Sequence, residues 1–340
     1  MKKLLTVLLA LLLMTACGAK EENKEDNGIT TYKVGICNYV DDASLNQIVE
    51  NIEDKLVNVS LNNPVEFKIY YQNCNANPND LAQIIADFEA EEVDLMVAVA
   101  TPVAMAMQGA TDESQIPVVF AAVSDPVGAG LVDSLENPGA NLTGTSDYLD
   151  TNAMMNLILA LNPETETVGL LYDLGQDSSF TAIKAAKDYL NAKGVAYKEY
   201  NGGNTTDVSS AVDVMIDDGV KVVFTPSDNT IMAAELTIYE KMAQNGIKHY
   251  GGADSFALNG AFVGYGVDYA NLGKETGAMV ADILMNGKDV STYPVKTFDN
   301  GTATVNTEIC ADLGLDFETV KETFAPLCTK VEEIKTAESF

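Results

Sequence analysis

The chain has 340 residues, which is enough for two domains with substantial hydrophobic cores. Its 50 acidic and 20 basic residues give a net charge of −30, which argues against nucleic-acid binding through clustered cationic side chains. Every basic residue is lysine, so no guanidinium group is available to bind a carboxylate or phosphate with two hydrogen bonds. His249 is the single histidine and no CxxC motif occurs; we therefore predict no catalytic residues, no metal site and no cofactor.

The N-terminus has the pattern of an export signal. Lys2 and Lys3 precede a short apolar run that is too short to span a bilayer as a helix. The segment 13–18, Leu-Met-Thr-Ala-Cys-Gly, resembles the lipobox of bacterial lipoproteins, in which the cysteine is diacylated. We predict a signal peptide over residues 1–16, lipidation of Cys17, and a flexible tether over residues 17–31 that anchors an extracytoplasmic domain to the cell membrane.

From residue 32 onward, short apolar runs alternate with longer amphipathic stretches. This alternation predicts an α/β fold with parallel sheets covered by helices. The predicted strands are residues 33–37, 65–70, 95–100, 118–122, 167–172, 195–199, 220–224 and 249–252. The predicted helices are residues 45–58, 80–90, 102–110, 180–192, 208–217, 229–244 and 272–286.

Several motifs recur in the same order in the second half of the chain. Val-Gly-Ile at 34–36 is echoed by Val-Gly-Leu at 168–170, and Thr101-Pro102 by Thr225-Pro226. This repetition predicts two Rossmann-like lobes whose strand ends face one cleft. The first lobe is predicted to comprise residues 32–147 with a returning segment at about 270–300, and the second residues 148–269 with a C-terminal segment at about 301–340. Hinge crossovers are expected near residues 146–150 and 265–271.

A family resemblance rests on residues 120–132 (Phe-Ala-Ala-Val-Ser-Asp-Pro-Val-Gly-Ala-Gly-Leu-Val) and on 138–146, with support from Thr101-Pro102 and residues 225–229. These segments closely resemble the ABC transporter substrate-binding family that includes tryptophan- and tyrosine-binding lipoproteins. The resemblance implies a type I periplasmic-binding fold that delivers a solute to an ABC permease. Asp42-Ala43-Ser44-Leu45 stands where family members often have His-Pro-Ala-Leu.

The predicted ligand is a small solute bound between the lobes, with an aromatic amino acid as the preferred candidate. Its carboxylate would meet hydroxyl groups and helix N-termini, and its ammonium group a carboxylate. Stacking on tyrosine would hold an aromatic ring. Helix capping, turn formation and lobe packing explain the same residue types equally well. The candidate ligand-binding residues are Tyr39, Thr101, Ser124, Asp125, Tyr148, Ser178, Ser179, Asp228, Asn229, Asp254 and Tyr265.

Two questions stay open at the level of sequence. A surface adhesin or a sensor receptor built on the same fold is an alternative function, whereas an enzyme is disfavoured because no nucleophile motif occurs. The cysteines at 37, 74, 310 and 328 allow either disulfides, with Cys37–Cys74 and Cys310–Cys328 as the pairs, or buried free thiols. We expect a monomer.

Overall fold

A computed structural model describes residues 28–298 and 301–337. The predicted signal peptide, the lipidation site Cys17 and most of the tether lie outside the described residues.

The first sheet lies in the first half of the chain. Its five strands have the order β2-β1-β3-β4-β5, and β1, β3, β4 and β5 pair in parallel. The strands are β1 (Thr30–Asn38), β2 (Val65–Asn73), β3 (Leu95–Val99), β4 (Val118–Ala121) and β5 (Leu142–Gly144). The helices between them are α1 (Ala43–Asn62), α2 (Pro78–Ala90) and α3 (Thr101–Ser114).

The second sheet has seven strands in the order β12-β11-β10-β9-β8-β6-β7. They are β6 (Thr167–Tyr172), β7 (Ala196–Asn201), β8 (Val222–Thr225), β9 (Lys248–Gly251), β10 (Val263–Gly266), β11 (Thr302–Asn306) and β12 (Lys330–Ile334). The helices of this half are α4 (Thr151–Leu161), α5 (Asp177–Lys193), α6 (Thr205–Asp217), α7 (Asn229–Gln244), α8 (Asp254–Leu258), α9 (Tyr269–Asn286), α10 (Thr307–Asp312) and α11 (Phe317–Phe324).

The predicted fold class is confirmed: two sheets of mainly parallel strands form two lobes. One pairing departs from the parallel pattern, because β11 runs antiparallel to β10. The strands β5, β10, β11 and β12 were not predicted from sequence. Three of them contain Gly or Thr at alternate positions and only three to five residues, so their apolar runs are too short to stand out.

Helices α1 and α9 pack tightly against each other. The buried face of α1 carries Leu45, Ile48, Ile52 and Leu56, which recur at three- or four-residue spacing. Two glycines of α9 allow the close approach: a Cβ atom at position 273 would lie 2.6 Å from the carbonyl oxygen of Ile48, and α9 carries a second such glycine at 277. Helix α9 therefore belongs to the first lobe although it follows β10 of the second sheet.

The chain passes between the two halves in three places. The first passage joins β5 to α4 over residues 145–150, and the second joins β10 to α9 over residues 267–268. The third leads from α9 back to β11. Before leaving the first lobe, this segment lies along β5, where Lys296 N donates to the carbonyl oxygen of Gly144 at 2.9 Å and Val295 N to that of Leu135 at 2.7 Å.

The four cysteines among the described residues, at 37, 74, 310 and 328, are free thiols. Cys37 and Cys74 are buried, and their thiols donate to the backbone carbonyls of Asn38 at 3.7 Å and of Tyr39 at 3.3 Å. Cys310 and Cys328 likewise hydrogen-bond to backbone carbonyls, Cys310 to Leu315 at 3.6 Å and Cys328 to Phe324 at 3.2 Å. In the described ranges, none of the helices combines the length and apolar character needed to cross a bilayer.

Candidate functional site

The start of α3 faces the gap between the lobes with its polar groups unsatisfied. The backbone at Ala100 has a φ of 79°, a left-handed conformation that costs energy for a residue with a Cβ atom, and its side chain cannot cap the helix. Thr101 follows; it is 3% exposed, and its Oγ1 has no hydrogen-bond partner. A buried helix N-terminus with free N–H groups and an unpaired hydroxyl is suited to bind an anion.

Asp228 lies across the gap from Thr101, at the start of α7, and both of its carboxylate oxygens accept hydrogen bonds. Its Oδ1 accepts from the backbone N–H groups of Thr230 and Ile231, each at 3.0 Å. Its Oδ2 accepts from Asp173 N at 2.8 Å and from the hydroxyl of Ser179 at 2.7 Å. A carboxylate has about four lone-pair positions, so these four contacts make Asp228 an N-cap that also ties α5 and β6 to α7.

Asp42 and Asp254 approach each other from the two lobes. Asp42 caps α1, where its Oδ1 accepts from Leu45 N at 2.9 Å. Asp254 begins α8, and its Oδ1 accepts a hydrogen bond of 3.1 Å from the hydroxyl of Ser44. Ser44, in the first turn of α1, therefore links the first lobe to the start of α8 in the second lobe.

Asp147 connects the passages between the lobes. Its Oδ1 accepts from Ser124 Oγ at 2.9 Å, and its Oδ2 from the phenol of Tyr269 at 3.0 Å. Asp147 lies in the first passage, Tyr269 at the start of α9 after the second, and Ser124 in the loop that follows β4. One carboxylate thus fixes both passages beside the loop that begins the family-like segment.

These groups surround a narrow cavity of about 30 Å³ between the lobes. The cavity has room for water but not for a solute of amino-acid size, which enters only when the lobes move apart. The polar residues that line it are Asp42, Ser44, Thr101, Ser124, Asp147, Ser178, Ser227, Asp228, Asn229, Ser255 and Tyr269.

Three side-chain hydrogen bonds hold the lobes together around the cavity. They are Ser44 Oγ to Asp254 Oδ1 at 3.1 Å, Gln176 Nε2 to Tyr39 Oη at 3.5 Å, and Thr181 Oγ1 to Asp125 Oδ2 at 2.7 Å. Each bond connects a loop at a strand end of the first sheet with a loop or helix of the second lobe. The structure is therefore a closed conformation.

A second cavity of about 60 Å³ adjoins the first, and Ser124, Ser178 and Ser227 line both. Its wall includes the half-exposed ring of Tyr148. Apolar groups of Leu149, Ala182 and Ala185 complete it. The two cavities together offer a polar end and a partly apolar end.

The predicted site residues fall into three groups. Thr101, Ser124, Ser178, Asp228 and Asn229 line the central cavity, and Asp254 lies between the lining residues Ala253 and Ser255. Asp125 and Tyr148 line the second cavity. The remaining three lie elsewhere: Tyr39 lines an apolar groove beside α2, Ser179 is buried behind Asp228, and Tyr265 is 2% exposed in the core of the second lobe.

Other residues at the cavity were not predicted. Ser227 and Ser255 adjoin predicted residues, so the strand-end rule that identified Asp228 and Asp254 extends to them. Asp42 and Ser44 occupy the first strand end, which the sequence marks by its departure from the family pattern. Asp147 and Tyr269 carry no sequence signal, because only the folded chain brings the two passages together.

The electrostatics of the cavity are those of a cation site. Burial raises the pKa of Asp42 to about 7, with the nearby charges of Asp254 and Asp41 adding to the effect. Burial also raises the pKa of Asp228 and of Asp254 to about 6 each. None of the lining residues of either cavity is lysine. Among residues 28–298 and 301–337, no cluster of three His, Cys, Asp or Glu side chains is arranged to hold a metal ion.

Comparison with known proteins places this architecture in a family. The family described as ABC transporter substrate binding protein matches residues 33–324. The chain belongs to that family. A curated relative, the tyrosine-binding protein of Clostridioides difficile strain R20291, is 29% identical over 315 residues, which cover 90% of each chain.

Solved structures agree with the assignment. An ABC domain from Streptococcus pneumoniae in complex with L-Trp is 29% identical, with a TM-score of 0.81 over 89% of this chain and 100% of that one. A ligand-free, open substrate binding protein with adhesive properties from Clostridium difficile is 28% identical, with a TM-score of 0.67 over 90% of this chain and 100% of that one. At nearly equal identity, the chain superposes better on the complex, as the interlobe hydrogen bonds lead one to expect.

Proposed function

We propose that this substrate-binding protein is the extracytoplasmic receptor of an ABC importer and that it binds an aromatic amino acid between its lobes. The observation that carries the proposal is the pairing of two unlike sites in one cavity. The unsatisfied start of α3 with the orphan Thr101 hydroxyl suits a carboxylate, and buried aspartates suit an ammonium group.

The adjoining cavity suits the side chain of such a ligand. Tyr148 offers a ring face, and Leu149, Ala182 and Ala185 offer apolar contacts. The printed descriptions of two relatives, a tyrosine-binding protein and a domain in complex with L-Trp, support the choice of an aromatic side chain.

A binding role without catalysis fits the same residues. No lining residue of either cavity is histidine or cysteine. The carboxylate of Asp228, which would be a candidate acid or base, is filled by four donors. The ligand is therefore released unchanged, and we propose that the recipient is a membrane permease.

Membrane attachment through Cys17 is part of the proposal. The lipobox-like segment 13–18 supports it, and the lipid would tether the protein, which we propose to be a monomer, outside the cytoplasm. Mass spectrometry of the native N-terminus tests this: a diacylated Cys17 is expected, and an unmodified chain beginning elsewhere would contradict it.

The ligand is tested by thermal unfolding of the purified protein with tyrosine, tryptophan or phenylalanine, with leucine and adenosine as controls. Binding to the native state alone stabilises a protein by about 2.7 kcal/mol when the ligand is at 100 times its Kd. At least one aromatic amino acid is expected to raise the melting temperature more than leucine does. Equal melting temperatures with all five compounds would overturn the choice of ligand.

An adhesive role is a second candidate, favoured by one observation. A relative that covers 90% of this chain is described as a substrate binding protein with adhesive properties. Attachment of cells to host surfaces, compared between the strain carrying this protein and a deletion strain, would test that role independently of solute binding.

A further inference from the structure

The central cavity contains an acidic pair that is split between the lobes. Asp42 is the N-cap residue of α1 in the first lobe, and Asp254 is the first residue of α8 in the second lobe. Asp42 is 6% exposed in the closed protein. Ser44, two residues after Asp42, donates to Asp254 Oδ1 at 3.1 Å, and the nearby charge of Asp254 disfavours ionisation of Asp42. When the lobes separate, the two groups part and regain water.

No cation of the protein compensates this pair. The lining residues of the cavity contain no lysine, and Lys330, on the β12 side of Asp254, is already paired with Glu332. The other titratable groups near the pair are acidic or neutral: Asp41 lies near Asp42, Asp268 and Glu332 lie near Asp254, and the phenol of Tyr269 lies near both. Closure therefore buries negative charge without a counter-charge, which is unfavourable.

A second observation points to a ligand in the same cavity. The hydroxyl of Thr101 is more than nine-tenths buried, lines the cavity and has no partner. An orphan polar group of this kind costs free energy unless something binds it. The acidic pair and the orphan hydroxyl together describe a guest with a positive end and a hydrogen-bonding end.

We propose that Asp42 and Asp254 act as an electrostatic gate, which lets the lobes close only when a primary ammonium group of the ligand, or a proton, neutralises the pair. Neutralisation of the pair by an ammonium group rests on the proposed function, whereas neutralisation by a proton does not. Asp228 is not the gate, since its oxygens are occupied by four donors. The position where relatives often carry histidine thus supplies one half of the gate.

The direction of the proton effect follows from the two states. In the open state both carboxyls are hydrated and ionise near the ordinary value for aspartate, about 3.9. In the closed state burial raises the pKa of Asp42 to about 7 and that of Asp254 to about 6. The closed state therefore binds more protons, and closure without ligand becomes more favourable as the pH falls from about 7 toward 4.

The decisive experiment is small-angle X-ray scattering of the ligand-free protein between pH 8 and pH 5. The wild type is expected to be open at pH 8, with the larger radius of gyration, and to close as the pH falls. Asp42→Asn keeps the helix cap, because asparagine caps as well as aspartate does, but it removes a charge. This variant is expected to be closed already at pH 8, and Asp254→Asn to behave in the same way.

Asp54→Asn is the matched control, because Asp54 is an exposed aspartate on the same helix as the Asp42 cap. It should follow the wild-type profile. A wild-type radius that does not change between pH 8 and pH 5 would overturn the gate. The gate would also be overturned if Asp42→Asn and Asp254→Asn, shown to be folded by circular dichroism, had the radius of gyration of the wild type at pH 8.

A ligand series separates this inference from the proposed function. Tyrosine and 3-(4-hydroxyphenyl)propionate differ by the ammonium group, and the wild type at pH 8 is expected to bind the second compound at least 100-fold more weakly. In Asp42→Asn the ratio should fall below about 10-fold; an unchanged ratio would exclude Asp42 from ammonium recognition. If neither compound binds, the proposal of an aromatic ligand is wrong. The scattering profile then still decides whether protonation of the pair closes the lobes.

Discussion

The phenol of Tyr269 donates a 3.0 Å hydrogen bond to Oδ2 of Asp147, and both residues are buried where the chain passes between the lobes. This contact couples two passages that are more than 100 residues apart in sequence. Hinges are a few residues that absorb a change of φ and ψ. Here the first passage is held to the start of α9, so the two passages move together.

Tyr269→Phe removes that bond and leaves a buried carboxylate with one donor fewer. Hydrogen bonds to charged groups contribute about 1.5–3 kcal/mol, and we expect a loss of that size in the free energy of unfolding. Urea unfolding measures it. Tyr71→Phe, at an exposed position, should change little; equal effects of both substitutions would mean that the bond to Asp147 adds no stability.

Asp228→Ala removes a cap and leaves donors of α5, β6 and α7 unpaired. We expect the unfolding free energy to fall by about 2–4 kcal/mol, because a cap alone is worth about 1 kcal/mol and buried unpaired donors add to the loss. The control is Asp316→Ala, which removes the exposed cap of α11, where Oδ2 accepts from Thr319 N at 3.0 Å. A loss no greater than that of the control would show that the buried contacts of Asp228 contribute little.

Thr101→Val replaces an unpaired hydroxyl by a methyl group of similar shape. Since Thr101 Oγ1 has no partner within the protein, unfolding of the ligand-free protein should be unchanged or slightly more difficult. Affinity for the aromatic amino acid should fall by about tenfold, as expected for one lost hydrogen bond. Calorimetric titration measures this change.

Thr145→Val provides the comparison, because Thr145 Oγ1 lies 2.7 Å from Thr276 Oγ1 in a buried hydrogen bond. It should lower stability and leave affinity nearly unchanged. If Thr101→Val behaves in the same way, the hydroxyl of Thr101 has a structural partner and not a ligand.

The stability of the closed protein should depend on pH in the direction set by its raised carboxyl pKa values. Asp42 titrates near 7, and Asp228 and Asp254 near 6, all above the unfolded value of about 3.9. The folded state thus binds more protons between pH 4 and 7, and the contribution of these groups becomes less favourable as the pH rises. Asp42→Asn should raise the melting temperature by about 2–4 °C at pH 8 and by less at pH 5. A larger gain at pH 5 would contradict the sign.

Much of the fold followed from periodicity. The alternation of apolar runs and amphipathic stretches predicted the parallel sheets, and the repeated motifs predicted the two lobes. Strand-end residues such as Thr101, Ser124 and Asp228 lie at the cavity because parallel strands end on one edge. Tyr265 shows where this reasoning stops: it follows the same rule by position, but its ring enters the core of the second lobe. Alternation along a strand decides which way a side chain points, and a four-residue strand gives too few positions to read that alternation.

The site was less predictable than the fold for a physical reason. Asp228 was expected to meet an ammonium group because its motif matches the family, yet in the structure two capping contacts and two contacts with Asp173 N and the Ser179 hydroxyl occupy its oxygens. The sequence shows a residue type that suits both helix capping and ligand binding. Only the structure shows how many donors surround each oxygen of the Asp228 carboxylate. Asp42 was first noted as a departure from the family, and its place in the cavity depends on the approach of a lobe that begins more than 100 residues later.

The close fit of α9 on α1 has a consequence for how the protein is made. Gly273 and Gly277 lie against the carbonyl oxygens of Ile48 and Ile52. Helix α1 is therefore covered only after α9, which begins at Tyr269, has left the ribosome. The first lobe therefore completes its core only after strands β6 to β10 of the second lobe have been synthesised, although the strands of its own sheet come first along the chain.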